Sequence, residues 1–384
     1  LGRIDLGTNP PTEPEFVGFT LDPSRIDIDN SDSPSSITFN EQGDYAFVTL
    51  QGNNTLAAFD DIAIRNNAAQ STVFRVETGS APQDSVFDTI NNKIWVKNFL
   101  SRNVTSYELN SFFQTGSVQL TPDEIATVQT DKLSPNILAG KQEFYFAGNS
   151  PSGDNEMSFE GYISCASCHL DGSHDGRVWD FNQRGEGLRN TTDLRGRRGI
   201  GHGNVHWSAN FDEIQDFVLD IVNQFKGTGF VANGTIPHAP LGDPNPNTAI
   251  QLDQISDYVT SLNAQTIPQS PFRSNIGEFT SQAELGQTVF DQNSCNDCHN
   301  AMTDFTNSQL GANPQLHNVG TLRDSSGQRL GAELTGIDTP TLLGVWETAP
   351  YFHDGSAETI EDVFNVTGGR VVQAETANLS NGAV

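Results

Sequence analysis

The chain has 384 residues, 35% of them hydrophobic, and a formal net charge of −28 at pH 7. So acidic a surface repels phosphate and excludes nucleic-acid binding, and no apolar run approaches the roughly 18 residues that a membrane span requires. The length suffices for two or three domains with cores of their own, and the charge suits a basic redox partner protein or plain solubility.

Residues 1–133 read as short strands with turn punctuation. Ile37-Thr38-Phe39 runs into Gly43-Asp44, then into the strand Tyr45 to Leu50; Gly52-Asn53-Asn54 precedes a second strand, Thr55 to Phe59. The pattern returns 48 residues later, with Phe87 in the place of Phe39, Ile94-Trp95-Val96 for Ala46-Phe47-Val48, and Tyr107 for Phe59. Gly7-Thr8-Asn9-Pro10 and Gly79-Ser80-Ala81-Pro82 read as one turn in successive units, and Thr12 to Ser33 as a loop insertion. A period in the forties with several strands per unit marks propeller blades, with a β-sandwich as the alternative.

After Pro135 the texture changes to helices and long loops. Cys165-Ala166-Ser167-Cys168-His169 and Cys295-Asn296-Asp297-Cys298-His299 both spell C-x-x-C-H. In a c-type haem site, two thiols add across the porphyrin vinyl groups and the adjacent His becomes an axial iron ligand. The two motifs use all four cysteines of the chain. A zinc centre or a thioredoxin-like pair would not need a His directly after the second Cys both times. Two covalently bound haem c groups are therefore expected, with His169 (haem 1) and His299 (haem 2) as proximal ligands. Covalent attachment happens outside the bacterial cytoplasm, which points to a periplasmic, cell-surface or secreted protein. A chain that starts at Leu1 reads as a processed chain or a fragment.

Gly140-x-x-x-Phe144 and Gly286-x-x-x-Phe290 each lead towards a motif, so two mainly α haem domains are expected in tandem, at 134–264 and 272–370, joined by a linker at 265–271. Phe211, Ile214, Phe217, Val218, Ile221 and Phe225 fall on one face of an expected helix, and Leu252, Ile255, Val259 and Leu262 on one face of another. Both stripes read as core. The fold class is thus multidomain: an N-terminal all-β partial β-propeller, followed by two mainly α haem domains of cytochrome c type. Six histidines lie outside the motifs, at 174, 202, 206, 238, 317 and 353, and the two methionines are Met157 and Met302. Arginines 184, 189, 195, 197 and 198 form a cluster suited to haem propionates.

The strand ending Phe47-Val48-Thr49-Leu50 resembles YVTN-type β-propeller repeats. Residues 135 to 370 resemble the bacterial di-haem cytochrome c peroxidase family, which includes the MauG-like enzymes. The most specific segments are Asp338 to Trp346, Thr348 to Ser356 and the expected helix Thr359 to Phe364. Leu316 to Gly320, Leu188-Arg189-Asn190-Thr191 and His206-Trp207 fit the same pattern. Residues 371–384 resemble the opening strand of a carbohydrate-binding jelly-roll module.

The family resemblance implies that haem 2 takes in electrons, that haem 1 opens an axial position for peroxide, and that Trp207 lies between them. It also implies a structural Ca²⁺ on Asn190, Thr348 and Pro350, a set of hard oxygen ligands. For the sixth position of haem 1 the candidates are His206 and then His202; for haem 2 they are His317 and His353. Where the family places a Met or Tyr ligand after His353 this chain has Thr367, and the family's distal Gln and Glu positions hold Phe217 and Gly227. These departures favour an electron carrier over an active peroxidase or a MauG-like or oxygenase-like enzyme, with His206 and Trp207 as the reactive pair. A homo-oligomer or a larger extracellular multi-haem assembly is the further alternative.

Overall fold

A computed structural model describes residues 33–60, 72–117, 121–148, 156–231, 237–274 and 277–365, together with the backbone of two short antiparallel strands, Ile4–Asp5 and Glu15–Phe16. The turn Gly7 to Pro10, most of the loop from Thr12, Thr367 and the segment 371–384 lie outside the described residues. The chain gathers into two compact units, 1–167 with 225–229 and 168–224 with 230–384.

The first unit holds two four-stranded antiparallel sheets, each a meander in sequence order. One comprises β1 (Pro34–Phe39), β2 (Tyr45–Leu50), β3 (Thr55–Asp60) and β4 (Thr72–Glu77). The other comprises β5 (Pro82–Asp88), β6 (Lys93–Asn98), β7 (Asn103–Glu108) and β8 (Asp123–Ala126). Strands β1, β2 and β3 begin at 34, 45 and 55, and β5, β6 and β7 begin at 82, 93 and 103, each 48 residues on. The β1–β2 turn is set by Asn40, whose Oδ1 accepts from the backbone N–H of Asp44 and Tyr45.

Strand β2 reads as an almost unbroken apolar run because both its faces are covered. Alternate side chains go to opposite faces. Phe47 joins Leu56, Ala58, Phe74, Ile94, Val96, Tyr107, Leu109 and Phe112 in one core, while Ala46, Val48, Leu50, Ala57 and Phe59 form a second. Phe47 stacks on Phe87 across the two sheets, ring centroids 6.0 Å apart. Truncating such a buried ring costs about 3–5 kcal/mol. The helix Pro135–Tyr145 follows, with Pro at its first turn and Ser134 capping the Ile137 N–H.

The second unit is built of short helices and long loops. The helix Ile250–Ser261 buries Leu252, Ile255 and Val259 of the stripe expected from spacing, with Leu262 buried just past its end, and Tyr258 as well. Thr280 caps the helix Ser281–Gln292 by accepting from Ala283 N at 3.2 Å. The helix expected from Phe211 to Phe225 is shorter: a 3₁₀ turn Ile214–Phe217 continues into the helix Val218–Asn223. The reason is at its start, where the Phe211 carbonyl already accepts from Val205 N at 2.8 Å and cannot begin a helical ladder. The stripe still packs inward, with Phe211, Ile214, Val218 and Ile221 buried. Gln215 and Asp216, off that stripe, are buried as well: Gln215 donates to Asp253 and Asp216 accepts from Asn245.

Candidate haem-binding site

Each C-x-x-C-H motif is wound into a single turn, α-helical at Cys165–Cys168 and 3₁₀ at Cys295–Asp297. One turn of helix brings residues three apart to the same side, so the two thiols of each pair can face one porphyrin edge. All four cysteines are half-buried. The two motif histidines share one device. His169 Nδ1 donates to the Ser173 carbonyl at 3.2 Å, and His299 Nδ1 to the Phe305 carbonyl at 2.9 Å. A second bond of this kind fixes the ring and leaves Nε2 as the ligating nitrogen. Burial holds both imidazoles below their ordinary pKa, in the neutral form that iron binds. The donor set fits a covalent haem at both places. No group of three or more His, Cys, Asp or Glu side chains is gathered as a metal cluster among the described residues.

The Gly-rich stretch before Trp207 passes close to the loop after the second motif. Gly203 takes φ +117°, and a Cβ there would strike the Ser308 hydroxyl and lie 2.6 Å from Gln309 N. Asn204, buried, accepts from Gly311 N at 2.9 Å and donates to the Gly311 and Ala209 carbonyls at 2.8 and 2.9 Å. Arg329 donates to the carbonyls of Ser208 and Ala209. Trp207 is thereby held at both ends. Its Nε1 donates to the Asn190 carbonyl at 2.8 Å, and its own carbonyl accepts from Asp338 N at 2.9 Å.

His206, at φ +69°, lies between the rings of Phe211 and Phe217, with centroids 4.5 and 4.8 Å away, and its Nδ1 donates to Asn210 Oδ1 at 2.7 Å. Behind it runs a buried polar chain. Glu186 accepts from Ser208 and Asn210, and Arg184 bonds both Glu186 and Asp220. Burial and then the Arg184 charge push His206 down to about 3, while burial pushes Asp220 up to about 6. Glu186 stays below its ordinary pKa because Arg184, His206 and Arg189 outweigh its burial. Spacing gave no sign of Glu186, Asp220 or Arg329, whose partners are mostly remote in the chain; the local cues were Arg184 two residues before Glu186 and Asn210 four residues after His206.

His202 differs. Neither ring nitrogen has a hydrogen bond among the described residues. Nε2 lies 3.3 Å from the Asp304 carboxylate, close but not aligned for a hydrogen bond, and Asp304 is already paired with Arg198. His317 Nε2 accepts from Asn307 at 3.0 Å. His353 is buried and bonded through Nε2 to Ser326 at 2.8 Å, and its carbonyl accepts from Asn190 N. His174 and His238 bond loop carbonyls. Asn190 and Pro350 are brought together: the Asn190 amide donates to the carbonyls of Pro350 and Phe352, while its Oδ1 is buried without a partner among the described residues. The Thr348 hydroxyl turns to Val345 O. Met157 is fully buried and Met302 is 91% exposed.

Residues 336–370 match the model of the RoxA-like, cytochrome c-like family, a span that includes the segments Asp338 to Trp346 and Thr348 to Ser356. The chain carries a cytochrome c-like haem domain. It is 28% identical over 295 residues, 67% of this chain and 79% of the relative, to hydrazine synthase subunit gamma of Kuenenia stuttgartiensis. Among solved structures, the xenon-pressurised hydrazine synthase of that organism has a TM-score of 0.41 at 21% identity, covering 65% of this chain and 88% of the other. A MauG-like protein associated with microbial copper homeostasis has a TM-score of 0.40 at 17% identity, covering 61% and 76%. A cytochrome c-like domain implies covalently bound haem c.

Proposed function

We propose that this chain is an exported di-haem c-type cytochrome that carries electrons between its two attachment motifs by way of Trp207. The observation that carries the reading is the double fastening of Trp207, to Asn190 at the ring and to Asp338 at the backbone. An aromatic group held at both ends keeps its place as charge passes, so little reorganisation is needed. When bound, the haems supply the one-electron couple. Cys165, Cys168, Cys295 and Cys298 would form the thioether links, and His169 and His299 would hold the iron through Nε2. For the sixth positions, the ring of His202, whose nitrogens have no hydrogen bond among the described residues, supports it ahead of His206 on one side, with His317 and His353 as candidates on the other. The unpartnered Asn190 Oδ1 beside the Pro350 carbonyl supports a Ca²⁺ at Asn190, Thr348 and Pro350.

The repeated strand spacing supports reading the two sheets as blades of a partial β-propeller. Attachment chemistry supports a periplasmic, cell-surface or secreted location. No helix among the described residues is long and apolar enough to cross a membrane. The net charge supports a basic redox partner. The relative's name, a synthase subunit, supports a second reading in which the chain is a haem-bearing part of a larger enzyme assembly.

The test is a Trp207→Phe variant that retains two haem c per chain by pyridine haemochrome. Electron exchange between the two centres, followed after flash reduction, should slow at least tenfold; an unchanged rate overturns the route. If peroxide leaves the spectrum of a wholly low-spin oxidised protein unaltered, the peroxidase alternative is lost.

A further inference from the structure

We propose that Arg197 anchors a propionate of the haem attached at Cys165 and Cys168, an assignment that rests on the haem reading above. Of the five clustered arginines, four have carboxylate partners. Arg184 pairs with Glu186 and Asp220, Arg189 lies 3.7 Å from Glu186, Arg195 pairs with Asp193 and Glu347, and Arg198 with Asp304. Arg197 has no ion pair among the described residues, and its Nε is shielded from solvent without a hydrogen-bond partner. A guanidinium N–H shielded from water without an acceptor is unfavourable, so the half-buried Arg197 side chain suits an anion that the haem would bring.

Of the neighbouring carboxylates, Asp193 holds Arg195 through both oxygens. Asp338 accepts from Ser308 through Oδ2 at 2.6 Å, while its Oδ1 is buried without a hydrogen bond among the described residues, which makes it the competing counter-ion. The position of Arg197 says which anion is expected. Its backbone closes a turn on Leu194 O; Leu194 N donates to Gly172 O at 2.9 Å, and Gly172 N to His169 O at 2.9 Å. The guanidinium therefore hangs from the loop that follows the proximal histidine. A haem held by His169 brings two carboxylates into this neighbourhood, and the planar guanidinium fork matches a carboxylate at two points.

The experiment compares wild type, Arg197→Gln and Arg197→Lys, each purified with its haem and counted by pyridine haemochrome. In the resonance Raman spectrum, one propionate bending mode carries the frequency of a hydrogen-bonded carboxylate in wild type. It should move to the free-carboxylate position in Arg197→Gln and partway in Arg197→Lys. In a redox titration one of two midpoint potentials should fall in Arg197→Gln, because loss of a cation favours the ferric state, and Arg197→Lys should restore most of it. Folded Arg197→Gln with two haems, unchanged propionate modes and unchanged potentials overturns the assignment. If Arg197→Gln does not fold, an Arg197→Lys protein with wild-type propionate modes overturns it equally. Propionate modes that stay unchanged in Arg197→Gln while a potential moves would give Arg197 to Asp338 instead. A wild type without covalent haem would sink the haem reading itself, before Arg197 comes into question.

Discussion

His202 and His206 sit four residues apart in one Gly-rich loop and meet different surroundings. One has two ring nitrogens without hydrogen bonds, and the other is engaged by Asn210 and wedged between two phenylalanines. In the haem-loaded protein, His202→Gly should give a high-spin ferric band that added imidazole removes, while His206→Gly keeps the wild-type spin state. The opposite pattern would hand the ligand role to His206. The same contrast marks what a sequence can say at this scale. The proximal pairs Cys165–His169 and Cys295–His299 were legible because their chemistry depends on spacing within five consecutive residues. The distal side was not, because it depends on which group takes each imidazole, Asn210 four residues on for one and the remote Asp304 for the other. The arginine cluster was legible as a cluster, but its members are divided among carboxylates that spacing does not link to them.

Among elements, the loop from Gly203 to Phe211 is the one most tightly specified by its neighbours. Gly203 is required twice, by its φ of +117° and by the closeness of Ser308 and Gln309. Gly203→Ala should therefore destabilise the second unit by about 2–4 kcal/mol in chemical denaturation, since backbone strain and a steric clash add. A loss below about 0.5 kcal/mol would mean that the loop can move aside. The strands were readable element by element, because alternation and turn residues are local and the repeat reproduced them 48 residues on. The helix at Phe211 was overextended by the same logic. Its apolar stripe was real, but a cross-loop bond to Val205 took the carbonyl that a first helical turn needs.

Across the whole molecule, acidity dominates the surface, and in the first unit one acid, on a helix, is held well away from its ordinary behaviour. Glu143, on the helix Pro135–Tyr145 of the first unit, is pushed up to about 7 by burial and then by Glu156. A carboxyl with a raised folded-state pKa contributes stability that is complete below its unfolded value, near 4.5, and is lost as the pH rises through about 7. Wild type should accordingly be less resistant to urea at pH 8 than at pH 5 in the transition of the first unit, followed by Trp95 fluorescence. Glu143→Gln should flatten that difference; an undiminished pH dependence would place its origin elsewhere. Composition alone fixed the sign of the surface charge and the classes of partner it repels, but not which carboxyl would be held neutral, because that depends on burial.

Met157 and Met302 are the chain's two methionines, one fully enclosed and the other 91% exposed three residues beyond His299. Thioether oxidation follows access. Mild oxidant should therefore leave a single added oxygen on the folded chain, at a fixed point beside the second attachment motif. That makes Met302 a built-in chemical footprint: whatever docks over this face writes its presence as a missing sixteen-dalton increment, with no label introduced.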